Sequence, residues 1–138
     1  MVGVVVPMRN AERTIAATLD SISRQTHAKL DIVVVDDEST DGSVAIVAQK
    51  IRQDRRVRLV RQKNAGVAAA RNTGAAATAA SYLAFMDADD LWAPTKIEFQ
   101  LDAGFYGSSK YRFHPERPAQ RHRTRNHGSG RSCAGGEV

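Results

Sequence analysis

Residues 82–94 read YLAFMDADDLWAP. The first five, Tyr82 to Met86, form a short, mostly apolar run of the length expected for a buried strand, and it stops abruptly at Asp87-Ala88-Asp89-Asp90. Three carboxylates within four residues repel one another unless something positive lies between them. The usual partners are a divalent cation, a basic side chain or a helix N-terminus.

Working outward, Pro94 suits the first turn of a helix running to about Ala103. Upstream, Asn64-Ala65-Gly66 is a turn into an alanine-rich helix from Val67 to about Ala79, whose small residues, Gly74 among them, suit close packing on a sheet. Val57 to Val60 reads as a strand. Val44, Val47 and Ile51 form one stripe of a helix that follows the polar loop Asp36-Asp37-Glu38-Ser39-Thr40-Asp41-Gly42, and Leu30 to Val35 before that loop is a nearly continuous apolar strand. At the start, Val2 to Val6 reads as a strand broken by Pro7. Asn10 is the expected N-cap of a helix reaching about Arg24, with Ile15, Leu19 and Ile22 on one face.

Four strands alternating with helices of about ten residues predict an α/β fold: a parallel sheet, right-handed crossovers and helices on both faces. Ligands bind such sheets beyond the carboxyl ends of the strands. That edge is where Pro7 to Asn10, Asp36 and Asp37, and Asp87, Asp89 and Asp90 all fall.

Composition divides the chain of 138 residues in two. Residues 1–103 carry 13 Lys/Arg and 13 Asp/Glu, whereas residues 104–138 carry seven basic residues against two acidic ones and so hold the whole net charge of +5. Apolar residues become sparse after Phe113, too few to offset the entropy of ordering, so this tail is expected to be disordered. Its histidines, His114, His122 and His127, and Cys133 lack zinc-site spacing. Its arginines lack the interleaved aromatics of a nucleic-acid motif, so no specific nucleic-acid partner is expected. No signal peptide or membrane span is legible, and Cys133 is the only cysteine, which fits a reducing, cytoplasmic setting. GxGxxG, GxxxxGK[ST] and HExxH are all absent, which argues against a Rossmann dehydrogenase, a P-loop enzyme and a zincin.

Asp87 and Asp89, one residue apart on a turn, can both reach one Mg²⁺ or Mn²⁺, or one metal and one ribose hydroxyl. An isolated DxD is more often a set of capping or solvated aspartates; its place at a strand end facing a second acidic loop favours the ligand role. Asp36 and Asp37 suit acceptance from a nucleobase N–H and a ribose, or equally an Asx-type turn opening the next helix. Asp41 and Glu38 read as solvated loop charges. Arg71, on the first turns of its helix, can reach a phosphate or support the acidic turn, although a lone arginine is more often a surface residue. Trp92 suits a sugar pocket or simple packing.

Together, VVVPMRNAERTIAATLDSISRQT, DIVVVDDESTDGS, VRLVRQKNAGVAAARNTG and YLAFMDADDLWAPTKIE resemble the successive motifs of the family 2 glycosyltransferases, in order and spacing, over residues 2–102. The resemblance implies a GT-A fold and inverting transfer of a sugar from a UDP-sugar, with a metal-bound diphosphate. It implies that Pro7 lies against the base, that Asp37 binds uracil with Asp36 supporting the same loop, and that Arg71 lies near the nucleotide. Asp89 would be the metal ligand and Asp87 nearer ribose and metal. The metal would be Mn²⁺ or Mg²⁺. The implied acceptor is a glycan or a lipid-linked glycan, met at the inner face of the membrane through peripheral association.

Met8 and Arg9 stand where the family usually has a small hydroxyl residue and an aromatic. Nothing after Gly104 resembles the acceptor-binding half with its acidic base; Glu116 and Glu137 are the only acids there. The chain is therefore expected to be the nucleotide-sugar-binding half, residues 1–103, followed by an unrelated tail, from a truncated or frameshifted reading of a longer gene. An unpaired sheet edge is expected to favour self-association. Two other readings stay open: a non-catalytic nucleotide-sugar-binding module, and a basic interaction protein in which the domain is scaffold.

Overall fold

The computed structural model describes residues 1–106. Expectations for residues 107–138, including the disordered tail and its lack of a zinc site, lie outside the described residues. The elements are β1 (Val2–Met8), α1 (Ile15–Ser23), β2 (Leu30–Asp37), α2 (Ser43–Gln53), β3 (Val57–Gln62), α3 (Val67–Ala76), β4 (Tyr82–Phe85) and α4 (Lys96–Tyr106). All pairings are parallel and the strand order is β3-β2-β1-β4. This is the expected α/β architecture. No helix among the described residues is long and apolar enough to cross a membrane.

The apolar runs are continuous because both faces of the sheet are covered. Val4, Val6, Met8, Ile32 and Val34 point to one side, where Ile15, Leu19 and Ile22 of α1, Val47 of α2 and Ile97 of α4 complete the larger core. Val5, Val33 and Val35 alternate to the other side and meet Ala70 of α3. Each fully buried branched side chain contributes about 1.5–3 kcal/mol of transfer free energy. Close packing of α3 depends on Gly74: a Cβ there would collide with Val5 Cγ1 and lie 3.1 Å from Val35 Cγ2.

Several local expectations yield to the tertiary structure. Pro7 does not stop β1, which continues to Met8 with Pro7 paired to Val35. The Met86 N–H donates to the Val5 carbonyl, so by strand alternation the backbone of residue 7 faces the β4 side. There β4 has already ended at Phe85, and the N–H that proline lacks has no ladder to serve. Asn10 is not the N-cap either. It has φ 49°, an irregular turn through Ala11 follows, and α1 begins at Ile15 with Thr14 as N-cap. β2 runs two residues past Val35, so Asp36 and Asp37 are its last strand positions, in register with Arg61 and Gln62. α3 stops at Ala76, three residues early, and α4 extends to Tyr106.

The two sheet edges differ. β3 presents Arg58 and Arg61, whereas β4 is uncharged and leaves Tyr82 and Phe85 exposed, with Phe99 exposed on α4. Among the described residues, the expected unpaired apolar edge is present.

Candidate functional site

The chain runs outward from β1 through β2 to β3, then α3 carries it back to the far side of β1 as β4. The order therefore reverses between β1 and β4, the position at which doubly wound sheets bind ligands. A cleft of about 500 Å³ opens there, within the size range of small-molecule sites. Its walls include Pro7 and Arg9 from the end of β1, Arg13 from the following turn, Val67 at the start of α3, and Asp87 and Asp89 beyond β4.

Asp87, Asp89 and Asp90 are exposed and can bring carboxylate oxygens within 4.8 Å of one another. The turn is closed by the Asp90 N–H donating to the Asp87 carbonyl at 3.1 Å. Arg71 Nη2 donates to Asp87 Oδ1 at 3.0 Å, and its buried Nε has no partner among the described residues. Among the described residues the Asp89 and Asp90 carboxylates accept no hydrogen bond. A group of clustered oxygen donors with one neighbouring cation fits a hard divalent ion such as Mg²⁺ or Mn²⁺.

The segment after β1 is latched to the loop after β2. The Asn10 N–H donates to Ser39 Oγ (2.9 Å) and Asn10 Oδ1 accepts from the Thr40 N–H (2.8 Å). The Ala11 N–H reaches Ser43 Oγ, the Glu12 N–H reaches Asp41 Oδ2, and the Gly42 N–H reaches Glu12 Oε2. Asp41 also accepts from the Ser43 hydroxyl and N–H, and the hydroxyl above all holds its carboxyl below the usual range. Glu38 accepts the Asn64 N–H. Neither acid is the merely solvated charge expected of it. Parallel topology places these loops side by side, a signal that was available in the strand order.

Asp36 and Asp37 lie beneath the loops rather than on the cleft wall. Asp36 is fully buried, with Oδ1 accepting the Ser39 N–H three residues on, one further than in an Asx turn, and Oδ2 accepting Arg61 Nε at 3.3 Å. Asp37 accepts Gln62 Nε2 and the Ala65 N–H on Oδ1, both at 2.8 Å, and the Gly66 N–H on Oδ2 at 3.0 Å. The Gln62 hydrogen bond, then that of Ala65, holds its carboxyl below the usual range. With two lone pairs per oxygen, one acceptor position remains on Oδ2. Of the expected site residues, Pro7, Asp87 and Asp89 meet in the cleft and Arg71 joins through Asp87, whereas Asp36 and Asp37 do not line it and instead hold the loop after β2 and the turn into α3. Trp92 lies against the larger core, with Lys96 Nζ 4.6 Å from its ring centroid.

The fold is a doubly wound α/β sheet with a cleft and a cluster of exposed carboxylates at its strand-order reversal. The sequence model of Glycosyl transferase family 2 matches residues 3–103, and the chain belongs to that family. It is 36% identical over 102 residues to the Escherichia coli UDP-Glc:alpha-D-GlcNAc-diphosphoundecaprenol beta-1,3-glucosyltransferase WfgD, covering 73% of this chain and 40% of that protein. S. aureus TarS 1-349 in complex with UDP-GlcNAc superposes with a TM-score of 0.70 at 26% identity, covering 76% of this chain and 31% of TarS 1-349. The Pyrobaculum calidifontis mannosyltransferase PcManGT, in complex with GDP-Man and Mn²⁺, gives 0.64 at 34% identity, covering 67% of this chain and 29% of that one. The chain thus spans well under half the length of these relatives.

Proposed function

We propose that residues 1–106 are the donor-binding half of an inverting glycosyltransferase that takes a UDP-sugar. The observation that carries this is the acidic turn Asp87–Asp90 standing in a cleft with Arg9 and Arg13 at the strand-order reversal. Pro7 offers the base an apolar surface. The remaining lone pair of Asp37 suits the imide N–H of uracil, held in place by the donors that already fix that carboxylate. Asp87 and Asp89 would hold Mn²⁺ or Mg²⁺, which when bound neutralises charge on the departing diphosphate. Arg71 keeps Asp87 oriented and places a second positive charge beside the turn.

In the reaction, the acceptor hydroxyl attacks the anomeric carbon from the face opposite the diphosphate. The new C–O bond forms as the bond to UDP breaks, and the hydroxyl proton passes to a base. The cleft acids Glu12 and Asp41 already accept backbone N–H groups, so neither is assigned that role. Glucosyl transfer to a lipid-linked acceptor by WfgD and the UDP-GlcNAc complex of TarS support a UDP-sugar donor and a glycan or lipid-linked acceptor.

Calorimetric titration of UDP with and without Mn²⁺ tests the reading. Metal-dependent heat that Asp89→Asn abolishes is expected. No binding by a protein shown to be folded would overturn it, and salt-sensitive binding that survives the substitution would point to a general polyanion surface instead.

A further inference from the structure

We propose that Thr18, far from the acids in sequence, is a positioning residue for the acidic turn, an inference that rests on the donor-binding reading above. Asp87, Asp89 and Asp90 repel one another, and β4 ends before them, so the sheet does not hold their backbone. What holds it is one stripe of α1 and the residues just after it. Thr18, Ser21 and Gln25 are spaced three and four residues apart and so share a face of the helical segment.

Thr18 is 1% exposed, and its hydroxyl lies 2.9 Å from both the Ala88 and Asp90 carbonyls, the two that flank Asp89. Below it, Ser21 Oγ accepts the Trp92 N–H at 3.2 Å. Gln25 Nε2 donates to the Ala93 carbonyl at 2.7 Å and Gln25 Oε1 accepts the Ile97 N–H at 3.1 Å. The Thr26 N–H closes the series on the Pro94 carbonyl. The backbone from Ala88 to Ile97 is thereby fastened to a helix that Ile15, Leu19 and Ile22 anchor in the core.

The top rung bears on the site. One hydroxyl proton is shared between the Ala88 carbonyl, whose peptide plane adjoins Asp89, and the Asp90 carbonyl one peptide beyond it, so the two bonds bracket the backbone that carries the Asp89 side chain. Thr18→Val keeps the β-branched shape and removes the donor; Thr18→Ser keeps the donor.

The discriminating quantity is the ratio of UDP affinities with and without Mn²⁺, measured calorimetrically on the full chain, with a thermal melt of each variant. In Thr18→Val this ratio is expected to fall about tenfold or more, the scale of outer-sphere effects on metal sites, while metal-free UDP affinity stays at the parent value. Thr18→Ser is expected to keep the ratio within about twofold, well short of that scale. A folded Thr18→Val with the parent ratio overturns the inference, as does an equal loss with and without metal. If Thr18→Val does not fold, Thr18→Ala takes its place; failure of both to fold assigns the hydroxyl to the fold alone and also overturns it. A parent protein that binds neither Mn²⁺ nor UDP overturns the functional reading itself, an outcome distinct from these.

Discussion

Two strand ends at the same edge of one sheet carry adjacent acids, Asp36–Asp37 after β2 and Asp87–Asp89–Asp90 after β4, and the fold treats them oppositely. The first pair is almost wholly buried, at 0% and 4% exposed, and meets Ser39, Arg61, Gln62, Ala65 and Gly66. The second group is exposed, and its carboxylates meet Arg71 alone among the described residues. The difference is one of position. β2 lies between β1 and β3, and the turn into α3 passes beside it, so donors surround its end; β4 is an edge strand whose end opens on the cleft. Acids whose lone pairs are mostly taken hold the architecture together, with one acceptor position left on Asp37, and acids left clustered keep their oxygens for a ligand.

The largest expected effect separates the two groups by stability. Asp37→Ala removes the acceptor of two backbone N–H groups and of Gln62, so the protein is expected to misfold or melt far below the parent in metal-free buffer. Asp89→Ala is expected to stay within about 0.5 kcal/mol of the parent, as for a surface site outside any network. Equal melting losses in the two variants would break the comparison.

Arg71→Met should reverse that pattern. Its pair with Asp87 is 42% and 53% exposed, so the stability change is expected to stay below about 1 kcal/mol. UDP affinity is expected to fall by about tenfold, the scale of one lost hydrogen bond to a charged group. A variant that loses stability but not affinity would move Arg71 into the architectural class.

The smallest effect is an acid limb. The Gln62 contact lowers Asp37. Asp54 is lowered chiefly by Arg56, and at Asp31 the Arg58 and Thr78 hydrogen bonds outweigh the upward push of burial. Carboxyls whose folded-state pKa lies below the ordinary 3.8 stabilise the fold above that value and cease to as pH falls through their lowered values. Melting temperature is therefore expected to be flat from pH 7 to about 5 and to fall below about 4, less steeply in Asp54→Asn. An unchanged acid limb in that variant would remove Asp54 from the set of held acids.

Some of this was legible in the residue order. Val2–Val6 and Leu30–Val35 are runs whose apolar continuity marks strands covered on both faces. Tyr82 to Met86 reads the same way, yet β4 is an edge strand with Tyr82 and Phe85 exposed. The alternation of strands with helices puts both acidic groups at one edge. Pro7 and Asn10 misled because strong local signals, a strand breaker and a capping residue, were overridden by where β4 ends and by the latch to Ser39 and Thr40. The roles of Asp41 and Glu38 were hidden for a related reason: their partners are mostly backbone N–H groups, which every residue but proline has.

By itself, then, the residue order determined the α/β class, the four strands and the presence of acids at two strand ends, because periodicity and strand termination are written in near neighbours. Only the tertiary structure decided which acids are buried and which stay free, where the cleft opens between β1 and β4, and that Thr18 holds the turn around Asp89. Those outcomes depend on hydrogen-bond partners 25 to 72 residues apart, and no local pattern encodes which donor will arrive beside which carboxylate.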